Sequence, residues 1–338
     1  MKVLIDKLYQ KIDLTKSEME FAMIEIFENS SDAQIATFLA LLHLKDATSI
    51  ELYSVVKYFQ SIMVKVNVEH ATLDIVGTGG DGFNTINIST GAALLAACCG
   101  VKIAKHGNRS VSSMTGSADM LENAGLNINL NVEDIVRSID LYNFGFLYAP
   151  NFHPMLTKLK TLRTQIGIPT ILNLVGPLIN PCEPNVYMIG VSCKKHLNLI
   201  AEVLIMMRVQ KAIIYCCNGM DEICTVAPID IIKVNGSRIL SYILEPVKYG
   251  FSYCKVEDLI GGNAKKNVDM IKQAFKDKTG PIADSFILNA GMACYLYGKS
   301  KTLTEGILLA KEALRKEKVF LLLQQLSNVS SQLGVANE

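Results

Sequence analysis

The sequence predicts an α/β protein with a small all-helical N-terminal domain and a large α/β domain around a mostly parallel central sheet. The first helical stretch carries three capping-box patterns and has no glycine or proline from Met1 to Val76. From Ala71 onward, short apolar runs alternate with helical runs, which is typical of a parallel sheet covered on both faces. Polar, glycine-containing loops follow the first two apolar runs, as expected at the carboxyl ends of parallel strands.

Three helix starts are predicted in the N-terminal segment. Thr15-x-x-Glu18, Ser31-x-x-Gln34 and Thr48-x-x-Glu51 fit the capping box, in which each partner satisfies an orphan backbone donor of the other. A buried stripe at helical spacing follows the second start and consists of Ile35, Phe38, Leu39 and Leu42. The helical domain is therefore expected over residues 1–68 and the α/β domain over 69–338.

Further elements follow in order along the α/β domain. Pro169 is expected at the first position of a helix, where its missing N–H costs nothing. The remaining expectations are strands at 73–76, 101–104, 146–149 and 212–216, and helices at 89–99, 117–124 and 303–326.

Composition narrows the class of protein. The chain has 338 residues, half of them apolar, and a formal net charge of +1. Such a balance gives no electrostatic footprint for nucleic acid or for an anionic membrane. No signal peptide precedes the helical segment, so a cytoplasmic enzyme is expected. Nine cysteines occur without a Cys-x-x-Cys pair, which favours small core residues in a reducing compartment.

The first candidate site is the glycine-dense loop at 77–82 that runs into residues 87–90. Four glycines in six residues allow close backbone approach, and successive N–H groups can hold an anion. Ser89 or Thr90 is expected to cap the next helix, whose N-terminus also favours phosphate. Asp81 inside the loop suggests a cation or a ribose hydroxyl beside that phosphate. The alternative is a bare turn.

The second candidate site is the loop at 105–113. It combines two fixed cations, a histidine, an amide and several hydroxyls around Gly107, and these donors suit phosphate oxygens. The alternative is an exposed polar loop.

Two smaller features complete the candidates. The adjacent carboxylates Asp221 and Glu222 follow an apolar run and suit Mg²⁺, which uses one or two carboxylates with substrate phosphates; the alternative is a solvated surface pair. Arg163 offers a planar fork for a carboxylate, with His153 nearby in sequence; the alternative is a surface ion pair.

Together these segments resemble the anthranilate phosphoribosyltransferase family. The matching pieces are GTGGDG (77–82), NIST (87–90), KHGNRSVSS (105–113), GSAD (116–119), HP (153–154), NLVGPLINP (173–181), DE (221–222) and LNAG (288–291), with DAQIATFLALLHLK (32–45) in the helical segment. Each motif is modest alone, but the ordered set covers nearly the whole chain.

The resemblance implies transfer of a phosphoribosyl group from phosphoribosyl pyrophosphate (PRPP) to anthranilate, with magnesium as cofactor and two ions bound. It implies anthranilate contacts from Gly77, Asn108, Arg163, His106 and His153, and metal contacts from Ser89, Asp221 and Glu222. The implied PRPP residues are Gly77, Gly80, Asp81, Thr85, Asn87, Ile88, Ser89, Thr90, Lys105, His106, Gly107, Asn108, Arg109, Ser110, Val111, Ser112, Ser113 and Ser117.

The resemblance also implies a fold of the nucleoside phosphorylase/phosphoribosyltransferase type. Part of 164–182 is expected to return to the helical domain, and a homodimer is expected to form through that domain. Two rivals share the fold. A pyrimidine nucleoside phosphorylase-like enzyme would have a different serine-rich sequence in place of Lys105–Arg109, and a non-enzymatic nucleic-acid-binding relative would lack the glycine loop and carry a basic face.

Overall fold

The structure is a computed structural model that describes residues 1–110 and 114–334. Four helices form the N-terminal segment: α1 (Lys2–Tyr9), α2 (Lys16–Glu28), α3 (Asp32–Lys45) and α4 (Ser49–Ile62). All three predicted capping boxes are confirmed, because in each the N-cap oxygen accepts the N3 N–H and the N3 side chain accepts the N-cap N–H. Local pairing of side chain and backbone therefore sets where α2, α3 and α4 begin.

Seven strands form one sheet in the order β3-β2-β1-β4-β5-β6-β7. The first five in this order are parallel, and β6 and β7 are antiparallel at one edge. The mostly parallel sheet of the prediction is thus confirmed. The strands are β1 (Leu73–Gly77), β2 (Ile103–Gly107), β3 (Phe144–Tyr148), β4 (Val186–Gly190), β5 (Lys211–Cys216), β6 (Ile229–Asn235) and β7 (Arg238–Leu244).

Helices and short 3₁₀ turns connect and cover the strands. Between β1 and β4 lie α5 (Ile88–Cys98), α6 (Ser117–Asn123), α7 (Val132–Tyr142), α8 (Ala149–Phe152), α9 (Pro154–Lys158), α10 (Lys160–Ile166), α11 (Leu172–Val175) and a 3₁₀ turn at Gly176–Leu178. Beyond β4 lie α12 (Lys195–Met206), 3₁₀ turns at Pro246–Tyr249 and Val256–Leu259, α13 (Ala264–Asp277), α14 (Pro281–Tyr297), α15 (Leu303–Arg315) and α16 (Lys318–Gly334). None of the described helices is long and apolar enough to cross a membrane.

Three expectations about element bounds were wrong. Strand β2 continues through Lys105 and His106 to Gly107, so these side chains belong to a strand and not to a loop. Pro169 does not start a helix, because α11 begins three residues later. The long C-terminal run is broken between α15 and α16, where Glu317 has a φ of 54° that no α-helix accommodates.

Two large apolar cores cover the faces of the sheet. One packs α5 and α14 to α16 against Ile75, Ile103 and Ile213. The other joins the N-terminal helices, the 171–179 segment and α12 to Tyr187 and Ile189 of β4. The 171–179 segment thus shares a core with the N-terminal helices. The division into 1–68 and 69–338, with part of 164–182 joining the first domain, remains a prediction that this packing favours.

Candidate active site

The glycine loop leaves the carboxyl end of β1 and lies against an acidic loop that follows β5. Gly77 and Gly190 pair across β1 and β4, and a Cβ on either glycine would overlap Asp221. The Asp221 carboxylate accepts the Gly79 N–H at 2.6 Å. Gly77 therefore makes room for the Asp221 carboxylate that reaches the glycine loop, and Gly190 makes room for the Asp221 backbone.

The backbone of the glycine loop is open. Gly79, Gly80 and Gly82 have φ of 68°, 75° and 78°, and open space surrounds the position of a Cβ at each. This left-handed backbone is the kind that can turn successive N–H groups toward an anion. One carboxylate oxygen of Asp81 accepts the Phe83 N–H at 3.1 Å, and the other is buried with no partner.

The start of α5 differs from the expectation. Its N-cap is Asn87, and neither that side chain nor Ser89 or Thr90 caps the helix. The Asn87 amide instead bonds Thr115 O at 3.0 Å and Asn267 Nδ2 at 2.9 Å. Donors in the first turn are thus left for acidic groups, and Ser89 N–H bonds Glu222 at 3.3 Å.

A tight turn places the acidic pair. Cys217 and Met220 exchange two backbone hydrogen bonds around Asn218 and Gly219, whose φ values are 50° and 90°. This is the Asn-Gly pattern that two-residue hairpin turns require. Asp221 and Glu222 follow at once and are each only 8% exposed, so they do not form a solvated surface pair.

Burial, and then repulsion by a neighbouring carboxylate, raises the pKa of both acidic groups. The pKa of Asp221 rises to about 7, through burial and then the negative charge of Asp81. Burial and Asp221 raise the pKa of Glu222 well above its usual range, and one Glu222 oxygen has no partner. Clustered, under-bonded oxygens are suitable ligands for a hard cation. Among the described residues no group of three or more His, Cys, Asp or Glu side chains could hold a metal ion.

Lys105 reaches from β2 to β1 and to the first turn of α5. Its side chain is almost wholly buried, and Nζ donates to Ile75 O at 2.6 Å and to Ser89 Oγ at 3.4 Å. Burial lowers the pKa of Lys105, while Asp74 and Glu222 oppose that shift. A buried ammonium beside an anion-binding loop can neutralise charge there.

His106 and His153 form a histidine group, and Arg163, which the sequence assigned to the same substrate, lies on α10. The rings of His106 and His153 lie 5.2 Å apart, and Nε2 of each has no partner. Burial lowers their pKa to about 3 and about 4, so both are neutral at pH 7. Arg163 is half-buried, its pKa is lowered by burial, and among the described residues its guanidinium forms no hydrogen bond or ion pair. An unpaired guanidinium suits an anionic ligand.

Other residues expected at the PRPP site make contacts within the protein. Arg109 pairs with Glu122 and Asp119 at 2.7 to 3.0 Å and lies 5.8 Å from the Tyr148 ring. Asn108 Oδ1 accepts the Arg109 N–H at 2.7 Å. Thr85 forms an isolated β-bridge with Ile260, and the side chains of Ile88 and Thr90 are buried. Gly107 lies against the Ser117 hydroxyl, and the Ser110 N–H donates to the Asp119 carboxylate. Val111, Ser112 and Ser113 lie outside the described residues.

Sequence reasoning missed two polar residues beneath the site. Asp74 and Asn180 are fully buried and bond each other at 2.8 Å. Asp74 could have been noticed, because a charged residue inside the apolar run at 73–76 needs a buried partner. Asn180 could not have been noticed in the same way, because its position before Pro181 indicates only a loop.

A cavity of about 240 Å³ lies between α3, the glycine loop, the segment before α11 and the start of α12. Asp46 and Lys195 form an ion pair of 2.6 Å at its wall, and Gly79 and Gly80 contribute to it. Arg163, His106 and His153 are not among the residues that line it. The cavity therefore lies at the junction of the helical segment and the glycine loop, whereas His106 and His153 do not line it.

A glycine loop, a buried lysine and an acidic pair at the carboxyl edge of a parallel sheet, beside a helical segment, define a transferase of the glycosyl transferase type. The α/β domain of a glycosyl transferase family matches residues 69–319, and the helical bundle domain of such a family matches residues 2–61. The anthranilate phosphoribosyltransferase of Chlamydia felis is 37% identical over 98% of this chain and 97% of its own, and that of Alkaliphilus metalliredigens is 36% identical over 99% and 100%. The chain belongs to the anthranilate phosphoribosyltransferase family.

Solved structures agree with this membership. The crystal structure of anthranilate phosphoribosyltransferase from Thermus thermophilus superimposes with a TM-score of 0.90 at 32% identity, covering 97% of this chain and 99% of that one. The Saccharomyces cerevisiae enzyme in complex with PRPP and magnesium shares the fold, with a TM-score of 0.89 at 24% identity over 98% and 97%. The fold class expected from the sequence is therefore confirmed.

Proposed function

We propose that this enzyme transfers the phosphoribosyl group of PRPP to the amino group of anthranilate and releases pyrophosphate, a step of tryptophan biosynthesis. The observation that carries the proposal is the convergence of glycine loop, buried lysine and acidic pair. Asp221 accepts from Gly79, Glu222 accepts from Ser89, and Lys105 donates to the Ser89 hydroxyl. A loop suited to binding an anion, a buried lysine and two carboxylates suited to binding a metal ion are thus connected by hydrogen bonds.

The glycine loop and Lys105 act on PRPP. Displacement of pyrophosphate from the ribose builds positive charge on the sugar ring and negative charge on the leaving group. We propose that the loop amides and the Lys105 ammonium stabilise that negative charge, because donors fixed by the fold need little rearrangement as the charge develops. We propose that the unpartnered oxygen of Asp81 accepts from a ribose hydroxyl. The wider set of PRPP residues named from the sequence stays a prediction.

The acidic pair fits magnesium. Ser89, Asp221 and Glu222 would hold it, and two ions are proposed. Magnesium, when bound, adds positive charge to the leaving pyrophosphate. The Saccharomyces cerevisiae relative has been solved with PRPP and magnesium, which supports the same cofactor here.

The histidine group and Arg163 receive anthranilate. In this proposal the Arg163 guanidinium pairs with the substrate carboxylate, and neutral His106 and His153 provide uncharged walls for the ring. Gly77 and Asn108 complete the proposed set. An aromatic amine is neutral and nucleophilic near pH 7, so the reaction needs no strong general base. The Saccharomyces cerevisiae relative has been solved with 4-fluoroanthranilate, in keeping with such a pocket.

We further propose a cytoplasmic homodimer joined through the helical segment, with no nucleic acid or membrane as partner. Apolar side chains on this segment are unusually exposed. Tyr9, Phe21 and Leu44 are 76%, 50% and 74% exposed. Exposed large apolar groups on one segment are typical of protein interfaces.

A double substitution tests the metal role. We expect Asp221→Asn with Glu222→Gln to raise the magnesium concentration for half-maximal turnover about tenfold or more. The melting temperature without magnesium should not fall, because burial already disfavours the charged form of both groups and the neutral isosteres remove that penalty. Glu133→Gln with Asp134→Asn, a second adjacent acidic pair on α7, is the matched control. An unchanged magnesium requirement in the first variant would exclude the acidic pair as the metal site.

A further inference from the structure

The hydrogen-bonded pairing between β1 and β2 stops before these strands reach the candidate site. Strand β1 pairs with β4 along its whole length, and β2 pairs with β3 along its whole length. Between β1 and β2, however, the ladder consists of a single pairing of Leu73 with Ile103. The glycine loop leaves β1 and the 105–113 segment continues β2, so the gap between these strands sets the distance between the two proposed substrate loops.

Side chains fill this gap and replace the missing ladder. Asn180 Nδ2 donates to Ala104 O at 2.8 Å, and His106 N–H donates to Asp74 Oδ1 at 3.3 Å. These backbone groups lie on either side of Lys105, whose own Nζ crosses the gap to Ile75 O at 2.6 Å. The backbone groups that would have bonded β1 are thus satisfied by buried side chains.

The two side chains also hold each other. Asn180 Nδ2 donates to Asp74 Oδ2 at 2.8 Å, and both residues are fully buried. Asn180 follows the 3₁₀ turn whose Gly176 O lies 3.3 Å from His106 Nδ1. The gap is therefore connected on one side to Lys105 and on the other to the histidine group.

We propose that Asp74 and Asn180 form a wedge between β1 and β2 and act as positioning residues for the transfer reaction. The wedge fixes the spacing of the glycine loop from Lys105 and ties it to the segment beside His106. This inference rests on the proposed substrate loops. A displacement of about 1 Å between reacting groups is enough to lower a rate about a hundredfold, so spacing of the loops controls turnover.

The chemistry of the wedge requires a carboxylate at position 74. Asp74 accepts hydrogen bonds from Asn180 and from the backbone of His106, and a carboxylate is an acceptor at both oxygens. An asparagine there would direct an N–H group at one of these donors. Asp74→Asn therefore breaks the wedge although its size is unchanged.

The test compares Asp74→Asn and Asn180→Ala with Ser138→Ala. Ser138 is equally buried, and its hydroxyl donates to Phe144 O at 2.7 Å, away from the substrate loops. We expect kcat to fall about tenfold to a hundredfold in both wedge variants. Ser138→Ala should lower the melting temperature comparably while kcat stays within twofold of wild type. Asn180→Ala leaves every charge in place and carries the test if Asp74→Asn does not fold.

Two results separate the wedge from the proposed function. Wild-type kcat in both wedge variants, or a loss matched by Ser138→Ala at equal melting temperature, would overturn the wedge. Failure of the wild type and of Ser138→Ala to consume anthranilate with PRPP would instead contradict the proposed function.

Discussion

At the scale of single residues, burial without a partner separates candidate ligand-binding side chains from structural ones. Arg163 and Arg109 are both arginines near the proposed substrates. Arg109 is held by Glu122 and Asp119, whereas Arg163 is half-buried and unpaired among the described residues. Leaving a guanidinium partly desolvated and unpaired is costly, so a ligand that pairs with it gains affinity.

Arg163→Ala should therefore weaken anthranilate binding most. Loss of a charged hydrogen-bond partner costs about 1.5–3 kcal/mol, or about tenfold to a hundredfold in the KM for anthranilate. The KM for PRPP should change much less. Arg208→Ala, an exposed arginine on the loop after α12, is the control. Titration calorimetry of each variant with each substrate checks this. Equal weakening of PRPP, or unchanged anthranilate binding, would return Arg163 to a structural role.

At the scale of elements, the glycine loop owes its function to backbone conformation. Gly79 and Gly236 both have positive φ, at 68° and 58°, and both face open space. A side chain strains the backbone at either position by about 1–2 kcal/mol. Only Gly79 belongs to the loop that we propose binds the phosphates of PRPP.

Gly79→Val and Gly236→Val should thus separate strain from function. Both should lower the melting temperature by a similar amount. Gly79→Val should raise the KM for PRPP about tenfold or more, and Gly236→Val should leave it unchanged. Steady-state kinetics with PRPP as the varied substrate decide this, and equal kinetic effects of the two substitutions would mean that the loop does not contact PRPP.

The sequence predicted those helices and strands whose formation depends on residues close together in the chain. The capping boxes and strand β1 depend on residues within a few positions, and they lie where expected. Strand β7 was missed because it exposes Ile239, Leu240 and Ile243, so apolar character did not indicate burial there. The more deeply buried strands β4 and β6 were missed as well. The wedge was missed because Asp74 and Asn180 are 106 residues apart in sequence and meet only through the fold.

For the candidate site too, the sequence predicted residue types but not contacts between distant residues. The glycine loop and the acidic pair were recognisable from residue types, because phosphate and magnesium demand particular chemistry. The contacts that Asn87 and Arg109 each make within the protein could not be predicted. A polar residue in a polar segment gives no sign of whether it faces a substrate or another residue of the protein.

At the scale of the whole molecule, the exposed apolar side chains of α1 to α3 predict association. Light scattering should give about twice the 37.1 kDa chain mass. Phe21→Glu with Ile24→Glu should lower it to one chain, because charges on α2 oppose burial of that face. Leu240→Glu, at an equally exposed position on β7, should leave the mass unchanged. A wild-type mass of one chain would contradict the proposed dimer.

The central claim is the reaction itself, and one measurement tests it most directly. Purified protein is mixed with anthranilate, PRPP and magnesium, and anthranilate fluorescence is followed. We expect fluorescence to fall only when PRPP and magnesium are both present, and the fall to stop when magnesium is chelated. Persistent fluorescence under these conditions, together with phosphate-dependent cleavage of a pyrimidine nucleoside by the same preparation, would contradict the account.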